Sequence, residues 1–259
     1  MIKSITPLFI VGHKRSGSTF LGRILNMHPE IYISNETDIL WLLFQHYNKL
    51  KFEKHPHDGP FGLNKSLEKY AEELESDLSP YEMFCKIQMR AMEDGFMSYE
   101  PTRKPELKYL GDQKPFQNAD PQLVDFCAEN FPPCKYLHLI RHPKDVVRSC
   151  KRFGPGKDGG WMWKDKKKQE ILSDWVKAEN WVDLIKHQNK RSVIDLRYED
   201  LVNEPIASMK NVFDNLNLTY SESLLRRIEN TIIKNNRKKK IHLKITREAQ
   251  EVMERYNYE

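Results

Sequence analysis

Short apolar runs alternate along the chain with longer segments in which apolar residues recur every three or four positions. The short runs are bounded by glycine, proline or polar residues, as buried strands are. They lie at residues 7–12, 31–33, 107–111, 135–140 and 192–197. The longer segments have the spacing of helices and lie at residues 18–27, 37–50, 67–76, 80–96, 120–130, 143–152 and 169–189, with two or three more towards the end of the chain. This alternation predicts an α/β fold in three layers, with a central parallel sheet flanked by helices.

Two segments interrupt the pattern. Residues 54–66 combine proline, glycine and histidine, and residues 153–168 contain four glycines and two tryptophans, so both are predicted to be loops. A basic stretch, residues 237–244, separates the last helices. The chain has 259 residues and no internal repeat, which suits one α/β core. We therefore expect a single domain over residues 1–259.

The amino-acid composition indicates a globular protein and argues against several other classes. Hydrophobic residues make up 39% of the chain and charged residues 31%, which indicates a globular protein. The net charge of +5 is ordinary and indicates no nucleic-acid partner. No run approaches the roughly 18 apolar residues of a membrane span. The four cysteines form no Cys-x-x-Cys pair, so neither a metal site nor a disulfide framework is indicated. We expect a cytoplasmic protein that binds no metal.

The segment Gly12–Thr19, GHKRSGST, has the Gly-x-x-x-x-Gly spacing of a phosphate-binding loop between a strand and a helix. The lysine that would follow the second glycine in a nucleotide-hydrolysing loop is absent, because Gly17 is followed by Ser18 and Thr19. Backbone amides at a helix start bind anions. The hydroxyls of Ser16, Ser18 and Thr19, with the cations Lys14 and Arg15, would add to such a site.

Three later segments also place polar residues directly after a predicted strand. The first is Gly111-Asp112-Gln113-Lys114-Pro115. The second follows the strand at 135–140, where Arg141 is succeeded by Ser149 eight positions on. The third is Arg197-Tyr198-Glu199-Asp200-Leu201. Ligands in open parallel sheets bind at the carboxyl ends of the strands, where these residues would meet.

Taken in this order, the four segments resemble the signatures of the sulfotransferases that use 3'-phosphoadenosine 5'-phosphosulfate (PAPS), and they cover residues 7–205. The resemblance implies a P-loop NTPase-like sulfotransferase fold and transfer of a sulfuryl group from PAPS to an acceptor hydroxyl. It is nearest in motif to the tyrosylprotein and bacterial sulfotransferases. The donor carries a sulfuryl group in place of a terminal phosphate, which explains the missing lysine and the lack of a metal.

The resemblance also assigns roles to residues. Arg15 would stabilise charge at the bridging oxygen. Lys14, Ser16, Gly17, Ser18 and Thr19 would complete the site for the 5'-phosphate, and Arg141 and Ser149 would bind the 3'-phosphate. Tyr198 would contact adenine or pack in the core. Lys114 would lie near the sulfuryl group or remain a solvated lysine.

The general base is predicted from the segment Ser34-Asn35-Glu36-Thr37, which resembles the Gly-Glu-Glu-Thr segment of tyrosylprotein sulfotransferases. Glu36 matches the glutamate that serves as base in those enzymes. It could also cap the helix that begins nearby. The rival bases are His28, in a His-Pro turn, and His55 and His57 in the predicted loop.

Other functions remain open at this point. A P-loop nucleotide kinase or NTPase would need the absent lysine and a magnesium motif that we do not find. A nucleic-acid-binding protein would need interleaved aromatic and basic residues, which are also missing. Neither the class of acceptor, which could be a peptide tyrosine, a carbohydrate or a small molecule, nor the oligomeric state can be derived from these motifs.

Overall fold

The computed structural model describes residues 5–97, 101–152, 163, 165–188, 193–232 and 241–259. Most of the loop predicted at 153–168 and part of the basic stretch at 237–244 lie outside these residues. Within them, no helix has both the length and the apolar character needed to cross a membrane. The four cysteines are all buried and unpaired by disulfides.

Five parallel strands form one sheet in the order β2-β3-β1-β4-β5. The strands are β1 (Thr6–Val11), β2 (Ile31–Asn35), β3 (Tyr109–Gln113), β4 (Lys135–Ile140) and β5 (Val193–Arg197). The three central strands are almost wholly buried, as expected for a parallel sheet covered on both faces. Their carboxyl ends lie at a common edge, and the segments that follow β1, β2, β3 and β4 begin there.

The helices connect and cover the strands. They are α1 (Ser18–Leu25), α2 (Ile39–Tyr47), α3 (Phe61–Tyr70), α4 (Pro80–Asp94), α5 (Pro115–Asn118), α6 (Pro121–Asn130), α7 (Pro143–Arg152), α8 (Lys168–Gln188), α9 (Tyr198–Asn203), α10 (Pro205–Asn215), α11 (Glu222–Thr231) and α12 (Arg247–Arg255). A 3₁₀ helix, Ala71–Glu75, follows α3 directly.

The two faces of the sheet have separate apolar cores. Phe9 and Val11 of β1 point into a core built mainly with α2, α4 and α6. Their neighbours Leu8 and Ile10 point to the opposite face, where α1, α10 and α11 pack. This alternation is the period of two that a strand imposes on its side chains. The three-layer α/β fold with a central parallel sheet is therefore confirmed.

Several predicted boundaries differ from the structure. The predicted loop 54–66 ends early, because α3 begins at Phe61; the helix predicted at 67–76 corresponds to the last turn of α3 and the 3₁₀ helix that follows it. The strand predicted at 107–111 starts and ends two residues later, so that it also contains Asp112 and Gln113. A Cβ at Gly111 would lie 1.7 Å from the Leu8 carbonyl oxygen, which explains a glycine inside this strand. The helix predicted at 37–50 is shorter, Ile39–Tyr47.

Candidate active site

The loop between β1 and α1 has a backbone that only its glycines allow. Gly12 and Gly17 have φ angles of +126° and +107°. A Cβ at Gly12 would lie 2.8 Å from the Leu139 carbonyl oxygen, and one at Gly17 would lie 2.6 Å from the Tyr198 ring. Gly17 precedes the first residue of α1, and no side chain caps this helix start. The free amides at the helix start are therefore available to an anion.

A cavity of about 600 Å³ opens beside this loop. Its walls come from the ends of β1, β2 and β4 and from the first turns of α1. The lining residues are Lys14, Arg15, Gly17, Ser18, Thr19, Phe20, Arg23, Asn35, Glu36, Asp58, Pro115, Arg141, Ser149 and Trp163. The structure thus brings together eight of the residues predicted from the sequence: Lys14, Arg15, Gly17, Ser18, Thr19, Glu36, Arg141 and Ser149. Ser16, Lys114 and Tyr198 lie outside this lining.

Arg15 connects the loop to the segment after β4. Its Nε donates a hydrogen bond to the Ser149 hydroxyl, 3.3 Å away, and its backbone oxygen accepts one from Arg141 Nη1 at 3.2 Å. Arg15 adopts a left-handed backbone, with φ of +67°. Burial lowers the pKa of its guanidinium, with Glu36 among the charges that oppose the shift. The two predicted phosphate-binding segments therefore form one continuous surface.

Arg141 lies over the ring of Tyr198. Its guanidinium carbon lies 4.1 Å from the centre of the Tyr198 ring, a cation–π contact. The same ring packs on Gly17, so Tyr198 supports both the arginine and the loop. Arg141 Nε is buried and has no hydrogen-bond partner among the described residues. The arrangement leaves an arginine fork able to bind an anion.

Lys14 and Lys114 share a buried carboxylate. Lys14 Nζ donates to Asp58 and to the backbone oxygen of His57. Lys114 Nζ lies 2.6 Å from Asp38 and 3.8 Å from Asp58. Burial lowers the pKa of Lys14, whereas for Lys114 the two carboxylates outweigh burial and raise the pKa. Lys114 is therefore a buried partner of Asp38, and the solvated position considered for it was wrong.

Glu36 is presented by an unusual stretch of backbone. It follows β2, is exposed, and has a φ angle of +54°; Asp38 has one of +56°. Its amide donates to the Gln113 carbonyl oxygen at 3.3 Å. A Cβ at Gly62 of α3 would lie 2.6 Å from the Glu36 carbonyl oxygen, and the Ser66 hydroxyl donates to the Thr37 carbonyl oxygen. Helix α3 therefore holds the segment that carries Glu36.

The rival histidines have other partners. His28 is fully buried, accepts from the Glu30 amide at 3.1 Å and donates to the Thr219 carbonyl oxygen at 2.9 Å. His55 is buried and lies 3.2 Å from Asp120. His57 lies 2.9 Å from Lys177 Nζ, and burial lowers the pKa of its imidazole. None of these histidines lines the cavity described above, whereas Glu36 does.

Sequence reasoning missed several residues of the site. Arg23, Asp58 and Trp163 line the cavity. Gln113, the last residue of β3, lies behind it and donates to Thr19 at 3.2 Å and to Asn35 at 2.5 Å. The helical spacing from Thr19 to Arg23 could have indicated a shared face of α1. Asp58 and Trp163 fell in predicted loops without a local motif.

Comparisons with known proteins bear on the family and the fold. A family model, described as the sulfotransferase family, matches residues 7–222. A sulfotransferase domain from the curacin biosynthetic pathway superposes with a TM-score of 0.66 at 19% identity, covering 98% of each chain. A sulfotransferase domain from the olefin synthase of Synechococcus PCC 7002 gives 0.63 at 22% identity, covering 99% of this chain and 96% of the other.

A third solved structure, a sulfotransferase from Mycobacterium avium, gives a TM-score of 0.54 at 12% identity and covers 98% of this chain and 76% of its own. At these identities the structures support the fold alone. No curated protein matches by sequence comparison. The family model covers well over half of the chain and spans all four segments noted in the sequence, so the chain belongs to the sulfotransferase family.

Proposed function

We propose that the protein transfers a sulfuryl group from PAPS to an acceptor hydroxyl, with Glu36 as general base. The observation that carries this proposal is that Arg15, Arg141, Ser149 and Glu36 line one cavity at the carboxyl edge of the sheet. Two anion-binding segments and a carboxylate are the parts that such a transfer requires.

The residues present fit this donor. The amides of Ser18 and Thr19 at the start of α1, with Lys14 and Arg15, suit a 5'-phosphosulfate. Arg141 suits a 3'-phosphate, because its guanidinium is fixed on Tyr198 and its buried Nε has no hydrogen-bond partner in the described part of the chain. Recognition of the 3'-phosphate is what would separate PAPS from the common adenine nucleotides.

The transfer step follows from these positions. When bound, the donor supplies the sulfuryl group. Glu36 accepts the proton of the acceptor hydroxyl as the new O–S bond forms. The bond between sulfur and the bridging phosphate oxygen breaks, and Arg15 stabilises the negative charge that collects on that oxygen. The products are a sulfate ester and 3'-phosphoadenosine 5'-phosphate (PAP). We infer a hydroxyl-bearing acceptor, whether a peptide tyrosine, a carbohydrate or a small molecule.

Calorimetric titration with PAP, AMP and ATP, with and without Mg²⁺, tests the donor. We expect PAP to bind without Mg²⁺, AMP to bind much more weakly, and Arg141→Ala to lose the preference for PAP. The matched control is Arg103→Ala, which removes an exposed arginine paired with Glu93 at 3.4 Å. Magnesium-dependent preference for ATP would favour a nucleotide kinase or NTPase, and no binding of any nucleotide would refute the proposal.

A further inference from the structure

Three hydrogen bonds converge on Gln113, a fully buried residue at the end of β3. Its side-chain Nε2 lies 3.2 Å from the Thr19 hydroxyl and 2.5 Å from Asn35 Oδ1. Its backbone oxygen accepts from the Glu36 amide at 3.3 Å. One residue therefore touches both the phosphate-binding helix start and the segment that carries the proposed base.

The orientation of the Gln113 amide follows from its neighbours. Asn35 Nδ2 donates to the Met97 carbonyl oxygen at 3.3 Å, which turns Asn35 Oδ1 towards Gln113. Because Asn35 Oδ1 faces Gln113, the Gln113 side chain must present its amino group there, since two carbonyl oxygens would repel each other. The same amino group then donates to Thr19 Oγ1, so Thr19 accepts this bond and keeps its own proton for another partner.

Thr19 lines the cavity at the start of α1. With Gln113 occupying one of its lone pairs, the hydroxyl proton is free to point to an anion bound beside the loop. If the amide were a carboxylate or another acceptor, Thr19 would donate to it instead and turn its oxygen lone pairs to the anion. The direction of one hydrogen bond behind the cavity thus decides whether Thr19 attracts or repels a phosphate.

The fold alone does not explain a glutamine here. Gln113 Oε1 is buried and has no hydrogen-bond partner among the residues that the structure describes. A buried carbonyl without a partner costs free energy, whereas an apolar side chain of the same shape would avoid that cost. The buried amide is explained by what its amino group does to Thr19 and Asn35.

We propose that Gln113 is a positioning residue that orients the Thr19 hydroxyl towards the 5'-phosphate of the donor. The proposal rests on the proposed function, since it assumes that PAP and PAPS bind in this cavity. It concerns one end of the ligand, because Thr19 stands at the start of α1, to which the 5'-phosphate is assigned, whereas the 3'-phosphate is assigned to Arg141.

The test compares two ligands and four proteins by calorimetry. The ligands are PAP and adenosine 3'-monophosphate, which lacks the 5'-phosphate. The proteins are the wild type, Gln113→Met, Thr19→Val and the double variant. We expect Gln113→Met to weaken PAP about three- to tenfold, the usual effect of one hydrogen bond, and to leave adenosine 3'-monophosphate unchanged. The double variant should bind PAP no more weakly than Thr19→Val alone, because Gln113 acts through that hydroxyl.

A second variant, Gln113→Glu, keeps the shape and the contact with Thr19 but accepts instead of donating. We expect it to weaken PAP more than Gln113→Met does. The thermal midpoints of both variants identify any loss of folding. Equal PAP affinity in the wild type and both Gln113 variants, equal weakening of the two ligands, or additive effects with Thr19→Val would overturn the inference and leave the proposed function intact. Failure of the wild type to bind PAP would instead refute the proposed function.

Discussion

Arg15 donates from Nε to the hydroxyl of Ser149, 3.3 Å away, although the two residues belong to segments that follow different strands. The contact joins the two predicted anion-binding segments, residues 12–19 and 141–149, at one cavity. The rest of the Arg15 guanidinium lies beside the loop. A cation in this place contributes to catalysis only if charge develops on the adjacent oxygen during the reaction.

Arg15→Ala should therefore reduce transfer far more than it reduces folding or PAP affinity. We expect transfer to fall about a hundredfold or more, which is the typical cost of removing one group that stabilises developing charge. The measurement is transfer of labelled sulfuryl from PAPS to a panel of hydroxyl acceptors, with Arg103→Ala as control. Unchanged transfer by Arg15→Ala would remove it from the mechanism.

Glu36→Gln should slow sulfuryl transfer without weakening PAP binding. The amide cannot accept the acceptor's proton, so transfer should fall by about two to four orders of magnitude. PAP affinity should stay the same or rise, because a negative charge beside the phosphate site has been removed. Glu68→Gln, an exposed glutamate of α3 paired with Lys65, is the matched control. Full activity in Glu36→Gln would exclude Glu36 as the base.

Gly62 should be the most sensitive position of α3. An added Cβ would lie 2.3 Å from Asp38 Oδ2 and 2.6 Å from the Glu36 carbonyl oxygen. We expect Gly62→Ala to lower the free energy of unfolding by about 1–3 kcal/mol, as overpacking does, and to displace the segment that carries Glu36. Urea unfolding measures the first effect. Asn64→Ala, at an exposed position of the same helix, should not destabilise; equal behaviour of the two variants would contradict the packing argument.

The sequence was sufficient for the fold and for the local motifs of the site, because both depend on short-range patterns. Apolar periodicity places β4 and α7 at their observed bounds, and the loop at Gly12–Thr19 and the pair Arg141 and Ser149 are motifs of a few residues each. These patterns do not reveal which side chains meet across the sheet. Asp58 pairs with Lys14 only because the chain folds the segment before α3 back onto the loop.

The positions of Gln113 and Lys114 illustrate the same limit. Both belong to the motif that follows one apolar run, and the family resemblance assigned a role to the lysine alone. Because β3 continues to Gln113, the side chain of that residue reaches Thr19 and Asn35, and that of Lys114 reaches Asp38 instead. Because the predicted strand stopped at Gly111, Gln113 was not expected to end β3 beside the loop.

Lys114 should behave as a structural cation in stability measurements. Its removal in Lys114→Met leaves the buried carboxylate of Asp38 without its cation, whereas Asp58 keeps Lys14, so we expect a loss of about 3–5 kcal/mol. The double variant Asp38→Asn/Lys114→Met should recover part of this loss, because it removes one uncompensated charge. Urea unfolding of the single and double variants checks both statements. A stable Lys114→Met would show that the ion pair does not matter for folding.

The environment of His138 predicts how the free energy of unfolding changes with pH. This buried residue of β4 lies 2.7 Å from Glu179 and 2.6 Å from Asp195, one carboxylate at each ring nitrogen. Burial disfavours its charge, but the two carboxylates outweigh burial and raise the pKa of His138 above 6.5, its ordinary value. A raised pKa means that the folded state holds the proton more tightly than the unfolded state.

The stability that comes from protonated His138 is therefore complete below about pH 6.5 and is lost as the pH rises through the raised pKa. His138→Gln should lower the free energy of unfolding by about 3–5 kcal/mol at pH 6, because Glu179 is left buried without a cation. The difference between the wild type and His138→Gln should shrink as the pH rises. Urea unfolding from pH 6 to 9 measures it. A difference that grows with pH would show that His138 is neutral in the folded protein.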